Sequence, residues 1–346
     1  MENMLENLEK TNRKEINSFV SVIIPCLNEE QFIARCLDSI IANDYPKDLL
    51  EILIVDGISK DRTRKIVESY IKQFPFIRIL ENPKLVTPTA LNIGIQNAKG
   101  SVIIIMGAHN IYNSDYISKC AKYLYEYNVD IVGGIMKTVP GSDSYTNKGI
   151  VFALSHSFGV GNSYFRVGVK EPMLVDTVPF GCYKKEVFEK VGLFNENLIR
   201  NQDIDLSLRL KRMGGKILLV PDIISSYYAR SNLKDLFKQN FMNGFWVIYS
   251  AKFTKRAFSL RHLIPFAFLL SFFGSFCLSF LWMPFLYLFI LITGSYIFTN
   301  ILISMKIAME NGIKLFPFVV ASFVALHFSY GLGSIWGLLN LIKKDN

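Results

Sequence analysis

The sequence predicts an α/β fold, a mostly parallel sheet with helices on both faces, followed by transmembrane helices. Three observations carry this prediction. Short apolar runs alternate with segments of helical period in the first 140 residues, charged, Gly and Pro residues are mixed through positions 19 to 230, and no residue from Leu263 to Met305 is charged. The overall apolar content of 51% therefore averages a soluble front and a greasy back.

The runs Phe19 to Pro25, Glu51 to Val55, Ile77 to Leu80, Val102 to Met106 and Asp130 to Met136 read as strands. Helices are expected between them, near Glu29 to Ile41, Asp61 to Gln73, Pro88 to Ala98 and Ser114 to Tyr127. Strand and helix in repetition imply parallel strands joined by crossover helices. Ligands of such sheets sit outside the carboxyl ends of the strands. Those ends are polar here: the first run closes in "PCLNEE", the second in "VDGISKDRT" and the fourth in "MGAHN", so Asn28, Glu29, Asp56 and His109 are expected to face one crevice. No G-x-G-x-x-G follows the first strand and no GK[ST] phosphate loop is present, which argues against a nicotinamide enzyme or an ATPase. "GVGNS", Gly159 to Ser163, is a lone GxG and weak on its own.

The uncharged stretch from Leu263 to Met305 is about twice the roughly 20 residues that one bilayer crossing needs. Two spans are expected, with the turn at Pro284 after Trp282-Met283, because proline inside a continuous helix removes a hydrogen bond. A third apolar segment runs from Leu315 to Ile342, with His327 its only ionisable residue. The net charge is +9, and "KFTKRAFSLRH" at 252 to 262 contributes Lys252, Lys255, Arg256 and Arg261 with no acid. A basic cluster at the mouth of a span argues for a cytoplasmic face. Nucleic acid is not the expected partner, since the basic residues follow the membrane boundary and are not interleaved with aromatics. Three crossings would place Lys343 and Lys344 outside, against the positive-inside tendency; a re-entrant or interfacial segment would not. Residues 1–18 are polar and read as a lead-in rather than a signal peptide. Five cysteines without CxxC spacing argue against structural zinc or a disulfide framework.

In "NQDIDLSLRL", Asp203 and Asp205 open a helix, and an acid in a first turn is stabilised by the helix dipole, so capping explains Asp203 by itself. "RSNLKDLFKQNFMNGFW", Arg230 to Trp246, gathers Leu233, Leu236, Phe237, Phe241, Phe245 and Trp246 on one face and reads as an interfacial helix.

Taken in order, these stretches resemble glycosyltransferase family 2, inverting nucleotide-sugar enzymes of the GT-A fold, over Phe19 to about Trp246. "VSVIIPCLNEE" resembles the opening strand, "EILIVDGISKDRT" the second strand and its turn, "ALNIGIQNAKGSVIIIMGAH" the approach to the metal motif, and "NQDIDLSLRL" the catalytic-acid region. The chain is most similar to bacterial exopolysaccharide enzymes of the succinoglycan-biosynthesis type, which carry "NPK", "GVGNS", "VDTV" and "NQD" in similar places.

The resemblance implies roles residue by residue. Pro25, Asn28, Glu29, Asp56 and Lys84 would border the nucleotide, and Asp203 would take the acceptor's proton. Family members carry Asp-x-Asp at the end of the fourth strand and the exopolysaccharide branch often has Asp-Ala-His; here Gly107 holds the first place. His109 then stands where the family binds Mn²⁺ or Mg²⁺, either as a metal ligand or as a hydrogen-bonding group for the diphosphate or sugar. Asp176, Gly161, Asn162, Ser163, Gln202, Arg230, Gln239 and Trp246 are donor-sugar or acceptor candidates, although the family's Gln-x-x-Arg-Trp spacing is not kept at Gln239 and Trp246. Implied partners are a nucleotide sugar, a UDP-sugar before others, and a polyprenyl diphosphate-linked saccharide at the cytoplasmic face of the cell membrane. The expected organisation is a 19–230 catalytic domain, a 231–262 interfacial segment and a 263–342 membrane region. A polyprenyl-phosphate sugar transferase and an inactive binding module of a polysaccharide assembly complex are the alternatives.

Overall fold

A computed structural model describes residues 18–254, 258 and 260–343. In chain order its first elements are β1 (Val20–Cys26), α1 (Ile33–Ile41), β2 (Leu50–Asp56), α2 (Thr63–Ile71), β3 (Ile77–Glu81), α3 (Thr87–Asn97), β4 (Val102–Ile105), β5 (Asn110–Tyr112) and α4 (Tyr116–Glu126). Then come β6 (Ile131–Val139), α5 (Tyr145–Ser155), α6 (Ser157–Val160), α7 (Tyr164–Val167), β7 (Met173–Leu174), β8 (Cys182–Lys184), α8 (Glu186–Val191), α9 (Gln202–Arg212) and β9 (Ile217–Tyr228). The chain finishes with α10 (Leu233–Tyr249), α11 (Ile264–Ser279), α12 (Met283–Asn311) and α13 (Phe316–Ile342).

The chain divides into two compact units, residues 1–137 with 168–227 and residues 138–167 with 228–346. The excursion 138–167 thus packs with the C-terminal part, a division finer than the 19–230 and 231–262 segments drawn from composition. Residues 1–17, most of the expected lead-in, lie outside the described residues, as do 255–257 with Lys255 and Arg256.

The first unit is built on a sheet of order β3-β2-β1-β4-β8-β6-β9-β5, with β7 beside β9. The four leading strands are parallel, as the βαβ reading requires. β1 and β2 are buried along their whole length apart from half-buried Pro25, which explains their largely apolar, Val- and Ile-rich content. α1 buries Ile33, Cys36, Leu37 and Ile40, the i, i+3, i+4, i+7 face of a helix laid on a sheet. The antiparallel half, β5 and β7 to β9, was not legible in the sequence: three of these strands are two or three residues long, and Pro221 interrupts the twelve-residue β9.

Register decides where the loops emerge. Cys26 pairs with Asp56 and Ile23 with Ile105, so the chain leaves β1, β2 and β4 at one common edge, carrying residues 27–32, 57–62 and 106–109.

The second unit holds α5 to α7 and α10 to α13 around a core that includes Ile150, Ala153, Leu236, Val319, Phe323 and Leu326. Asn147 in α5 donates from Nδ2 to the Arg230 carbonyl at 2.8 Å, tying the excursion to the start of the C-terminal part. Three stretches, Arg261–Ser279, Met283–Asn311 and Ile313–Ile342, are helices long and apolar enough to cross a membrane. Pro284 sits in the first turn of α12, where its missing N–H costs nothing, as the turn expectation demanded.

Candidate active site

The loops after β1 and β2 are sewn together. The Asn28 N–H donates to Ser59 Oγ at 2.9 Å and the Lys60 N–H to Asn28 Oδ1 at 2.9 Å. The Glu29 N–H donates to Thr63 Oγ1 at 2.7 Å, and the Glu30 N–H to Asp61 Oδ2 at 3.1 Å. These bonds hold Asn28 in a left-handed conformation (φ 56°), tolerable because its amide bonds locally. Asp56, fully buried, accepts the Ser59 hydroxyl at 2.5 Å and the Ser59 N–H at 3.2 Å. Its local bonds fix the turn and leave carboxylate lone pairs for a further donor. Cys26 and Cys36 nearby are inert: burial first, then neighbouring carboxylates, pushes the Cys36 thiol up to about 12 and Cys26 further still.

His109 arrives from β4 against this edge. Its Nε2 lies 2.9 Å from Glu29 Oε1, and its ring meets Phe32 edge-on with centroids 4.5 Å apart. An Nε2–H held by the carboxylate leaves the Nδ1 lone pair for another partner, the arrangement in which a carboxylate orients a metal-binding imidazole. Glu29 Oε2 is buried without a hydrogen-bond partner among the described residues. With Nε2 on the carboxylate, Nδ1 faces away from Glu29, so the donor this pair offers an ion is the one imidazole nitrogen. Among the described residues no group of three or more His, Cys, Asp or Glu converges. One protein donor fits only a divalent ion that takes most of its shell from phosphate oxygens and water, as Mg²⁺ beside phosphates largely does.

Why glycine stands at 107 is also visible. A Cβ there would lie 2.8 Å from Cε1 of Phe180 and 3.1 Å from Asn110 Oδ1. Phe180 has little room to yield: its backbone is left-handed (φ 49°), Tyr116 donates its hydroxyl to the Phe180 carbonyl at 2.9 Å, and its ring stands edge-on to Tyr112 at 5.8 Å. Burial pushes the Tyr112 and Tyr116 phenols well above their ordinary range, so both remain protonated. Tyr112 in turn accepts the Gly107 N–H at 2.7 Å. Sequence reading missed Phe180 and Tyr116; only the left-handed backbone of a bulky residue points to them.

Asp203 opens α9. Burial raises its carboxyl pKa, partly offset by backbone N–H groups of the first turn. Its charge, after burial, also raises the phenol of Tyr183 in β8, the strand paired with β4. Beside it, Asn201 Nδ2 and Gln202 Oε1 are buried without partners among the described residues. Unpartnered amide atoms next to a desolvated acid are buried hydrogen-bonding capacity left open. Asp205 differs. It is buried and holds Arg209 Nε at 3.0 Å, while Arg209 donates to the Val191 and Leu193 carbonyls, so Asp205 fixes the loop before α9.

The remaining first-unit candidates are placed more loosely. Lys84 pairs with Glu196 at 2.7 Å, a bond that holds the Glu196 carboxyl below its usual range. Asp176 meets Lys211 at 2.8 Å, in the last turn of α9 and so at the opposite end from Asp203. Pro25 is half-buried at the end of β1. Gly161, Asn162, Ser163, Arg230, Gln239 and Trp246 belong to the second unit. Trp246 is buried among Phe245, Tyr249 and Phe253, and Arg230 Nε reaches Gln239 Oε1 at 3.4 Å.

The family model described as Glycosyl transferase family 2 matches residues 21–192. A Methanococcus voltae protein named dolichyl N-acetyl-alpha-D-glucosaminyl phosphate 3-beta-D-2,3-diacetamido-2,3-dideoxy-beta-D-glucuronosyltransferase is 33% identical over 293 residues, 82% of this chain and 85% of that protein. The chain belongs to glycosyltransferase family 2. Another member it is similar to is the succinoglycan biosynthesis protein ExoA of Rhizobium meliloti (strain 1021), 29% identical over 64% of this chain and 67% of that one. Among solved structures, the mannosyltransferase PcManGT from Pyrobaculum calidifontis, in complex with GDP-Man and Mn²⁺, superposes with a TM-score of 0.60 at 19% identity, covering 94% of this chain and 88% of that chain. That likeness shows the GT-A fold. As a family 2 member the chain is a glycosyltransferase, and the reading as an inactive binding module is set aside.

Proposed function

We propose that this transferase moves a sugar, with inversion, from a nucleotide-diphosphate donor to a lipid-linked saccharide on the cytoplasmic face of the membrane, in building a cell-surface glycan. The observation that carries it is the desolvated Asp203 carboxyl flanked by unpartnered Asn201 and Gln202 amide atoms, in a chain that also has membrane-length apolar helices. The Methanococcus voltae relative, whose name specifies a dolichyl phosphate-linked sugar acceptor, supports the acceptor class.

The chain's own residues divide the work. Asn28, Glu29 and the 57–62 turn form the nucleotide side of the crevice, braced by their mutual hydrogen bonds. Burial gives Asp203 a higher proton affinity than a surface aspartate, which suits it to accept the acceptor hydroxyl's proton while that oxygen bonds to the anomeric carbon from the face opposite the departing diphosphate. Asn201 Nδ2 and Gln202 Oε1, unpartnered among the described residues, would bond sugar hydroxyls. His109, its ring oriented by Glu29, would hold Mn²⁺ or Mg²⁺, which supplies charge stabilisation for the leaving diphosphate when bound. Lys84, neutralised by Glu196, contributes less to that charge than its sequence position suggested.

Membranes containing the full chain are incubated with a panel of labelled nucleotide sugars and Mn²⁺, and the lipid fraction is extracted. Labelled lipid-linked saccharide, lost in Asp203→Asn, supports the proposal. A product with a single phosphate link to the sugar moves the assignment to polyprenyl-phosphate transfer, and transfer that survives Asp203→Asn refutes the role of Asp203.

A further inference from the structure

We propose that only α11 and α12 cross the membrane, as a helical hairpin, while α13 lies along the membrane plane on the side from which the hairpin enters, presenting one apolar stripe to lipid. This deepens the membrane reading above and rests on the chain being membrane-bound.

By length and hydropathy α13 qualifies as a span, but its surroundings differ from those of its neighbours. Of its most apolar window 39% is buried by protein, against 11% for the α11 stretch and 6% for α12. Apart from the hairpin itself, the segments that bury it are not among the membrane-length helices. Near its start Phe318 stacks on Tyr145 of α5 with centroids 5.8 Å apart. Further along, Phe323 meets Phe158 of α6 at 5.0 Å, and His327 Nε2 lies 2.7 Å from the Phe158 carbonyl. Towards its end Ser334 donates to the Gly244 carbonyl of α10 at 3.1 Å, and a Cβ on Gly337 would lie 2.6 Å from the Phe245 carbonyl.

Phe318 and Gly337 are about 28 Å apart along a helix, close to the full hydrocarbon thickness of roughly 30 Å. Both ends nevertheless touch segments tied to the sheet strands. α5 to α7 lie on an excursion that leaves β6 and returns to β7, with no helix longer than eleven residues, too short to cross. α10 follows β9 by a few residues and carries Lys234, Asp235 and Lys238 in its first half. For α13 to cross, these segments would have to cross with it.

The hairpin agrees. Among the described residues, its ring and hydrogen-bond contacts with α13 fall at Phe268 and Phe272 of α11 and at Tyr296 and Asn300 of α12, short of the tip. Ring contacts nearer the tip, Phe276 with Phe280 and Phe289, stay within the hairpin. The tip itself, Phe280, Leu281 and Trp282, is uncharged and highly exposed, as a lipid-facing or barely translocated turn would be. Two crossings put Lys252, Arg261, Lys306, Lys314 and Lys343 on one side, which satisfies the positive-inside bias that three crossings violate. Val324, Trp336, Leu339 and Ile342, all exposed, fall within about a third of the α13 circumference at 3.6 residues per turn. His327 needs no aqueous pathway, because Tyr296 and the Phe158 carbonyl engage both its nitrogens.

The test places single cysteines in the full-length protein, in a Cys277→Ser background, at Ala251, Leu281 and Asn346. Each is labelled with a membrane-impermeant maleimide in intact cells and in inverted vesicles, with sugar transfer as the check on folding. Buried native cysteines are controlled with the Cys277→Ser parent. Labelling of position 281 from one side and of 251 and 346 from the other supports the inference. Position 346 labelling from the same side as 281 overturns it, as does labelling of all three from one side. Should 281 label from inside and the other two from outside, the hairpin stands and the cytoplasmic placement of the transferase fails instead.

Discussion

Substitution of Gly107 by aspartate supplies the acid that the family resemblance led one to expect there, and the structure opposes it. The new Cβ would sit 2.8 Å from Phe180 Cε1, while the left-handed Phe180 backbone, its Tyr116 hydrogen bond and its contact with Tyr112 oppose withdrawal of the ring. Overpacking of this kind costs about 1–3 kcal/mol. Phe180→Gly removes the obstructing ring and relaxes the left-handed backbone, which glycine adopts freely. The two changes are therefore expected to couple: Gly107→Asp alone lowers the thermal midpoint, and the double variant is more stable than the sum of the single effects by about 1 kcal/mol or more. Thermal unfolding of the four proteins of the cycle gives the coupling, and Mn²⁺ titration by calorimetry shows whether the admitted carboxylate tightens binding. Strict additivity, with Gly107→Asp already tolerated, would refute the account of Phe180 as the residue that keeps position 107 bare.

The other predictions concern the base, the imidazole and the packing of the second unit. Because burial raises the Asp203 pKa, and the base must be ionised to act, the acidic limb of kcat/KM of the unsubstituted protein is expected above the ordinary aspartate value of 3.8; a limb at or below that value would contradict the role of Asp203. The stability sign is the reverse: the folded state binds this proton more tightly than the unfolded chain, so stability falls as pH rises from 3.8 through the raised value, and Asp203→Asn removes that slope in pH-dependent unfolding. Glu29→Gln leaves His109 without its carboxylate and should weaken Mn²⁺ binding by about 10–100-fold, measured by calorimetry with the nucleotide present; unchanged affinity would separate Glu29 from the metal. In the second unit, a Cβ on Gly333 would overlap the Phe241 carbonyl, whereas one on Gly274 meets nothing within 4 Å. Gly333→Ala should cost detergent-extracted protein several degrees of thermal midpoint, and Gly274→Ala should be neutral or stabilising by up to about 1 kcal/mol; equal effects would contradict the close packing of α10 on α13.

Some of this was fixed locally and could be read from the chain. The Val- and Ile-rich runs of β1, β2 and β4, the i, i+3, i+4, i+7 periodicity of α1, and the Pro284 break between two uncharged stretches each depend on neighbours a few positions away, and each lies where the sequence placed it. The polar ends of the strands were legible for the same reason, and a parallel sheet puts such ends on one edge. What the sequence could not supply was pairing across long separations. Whether Glu29 would meet His109, which of Asp203 and Asp205 was spent on holding Arg209, and what stood over Gly107 are contacts between residues made neighbours by register and by helix docking. The same holds for α13, whose composition equals that of a membrane span. Hydropathy measures how greasy a helix is, and only packing against α5, α6 and α10 decides whether lipid or protein covers it.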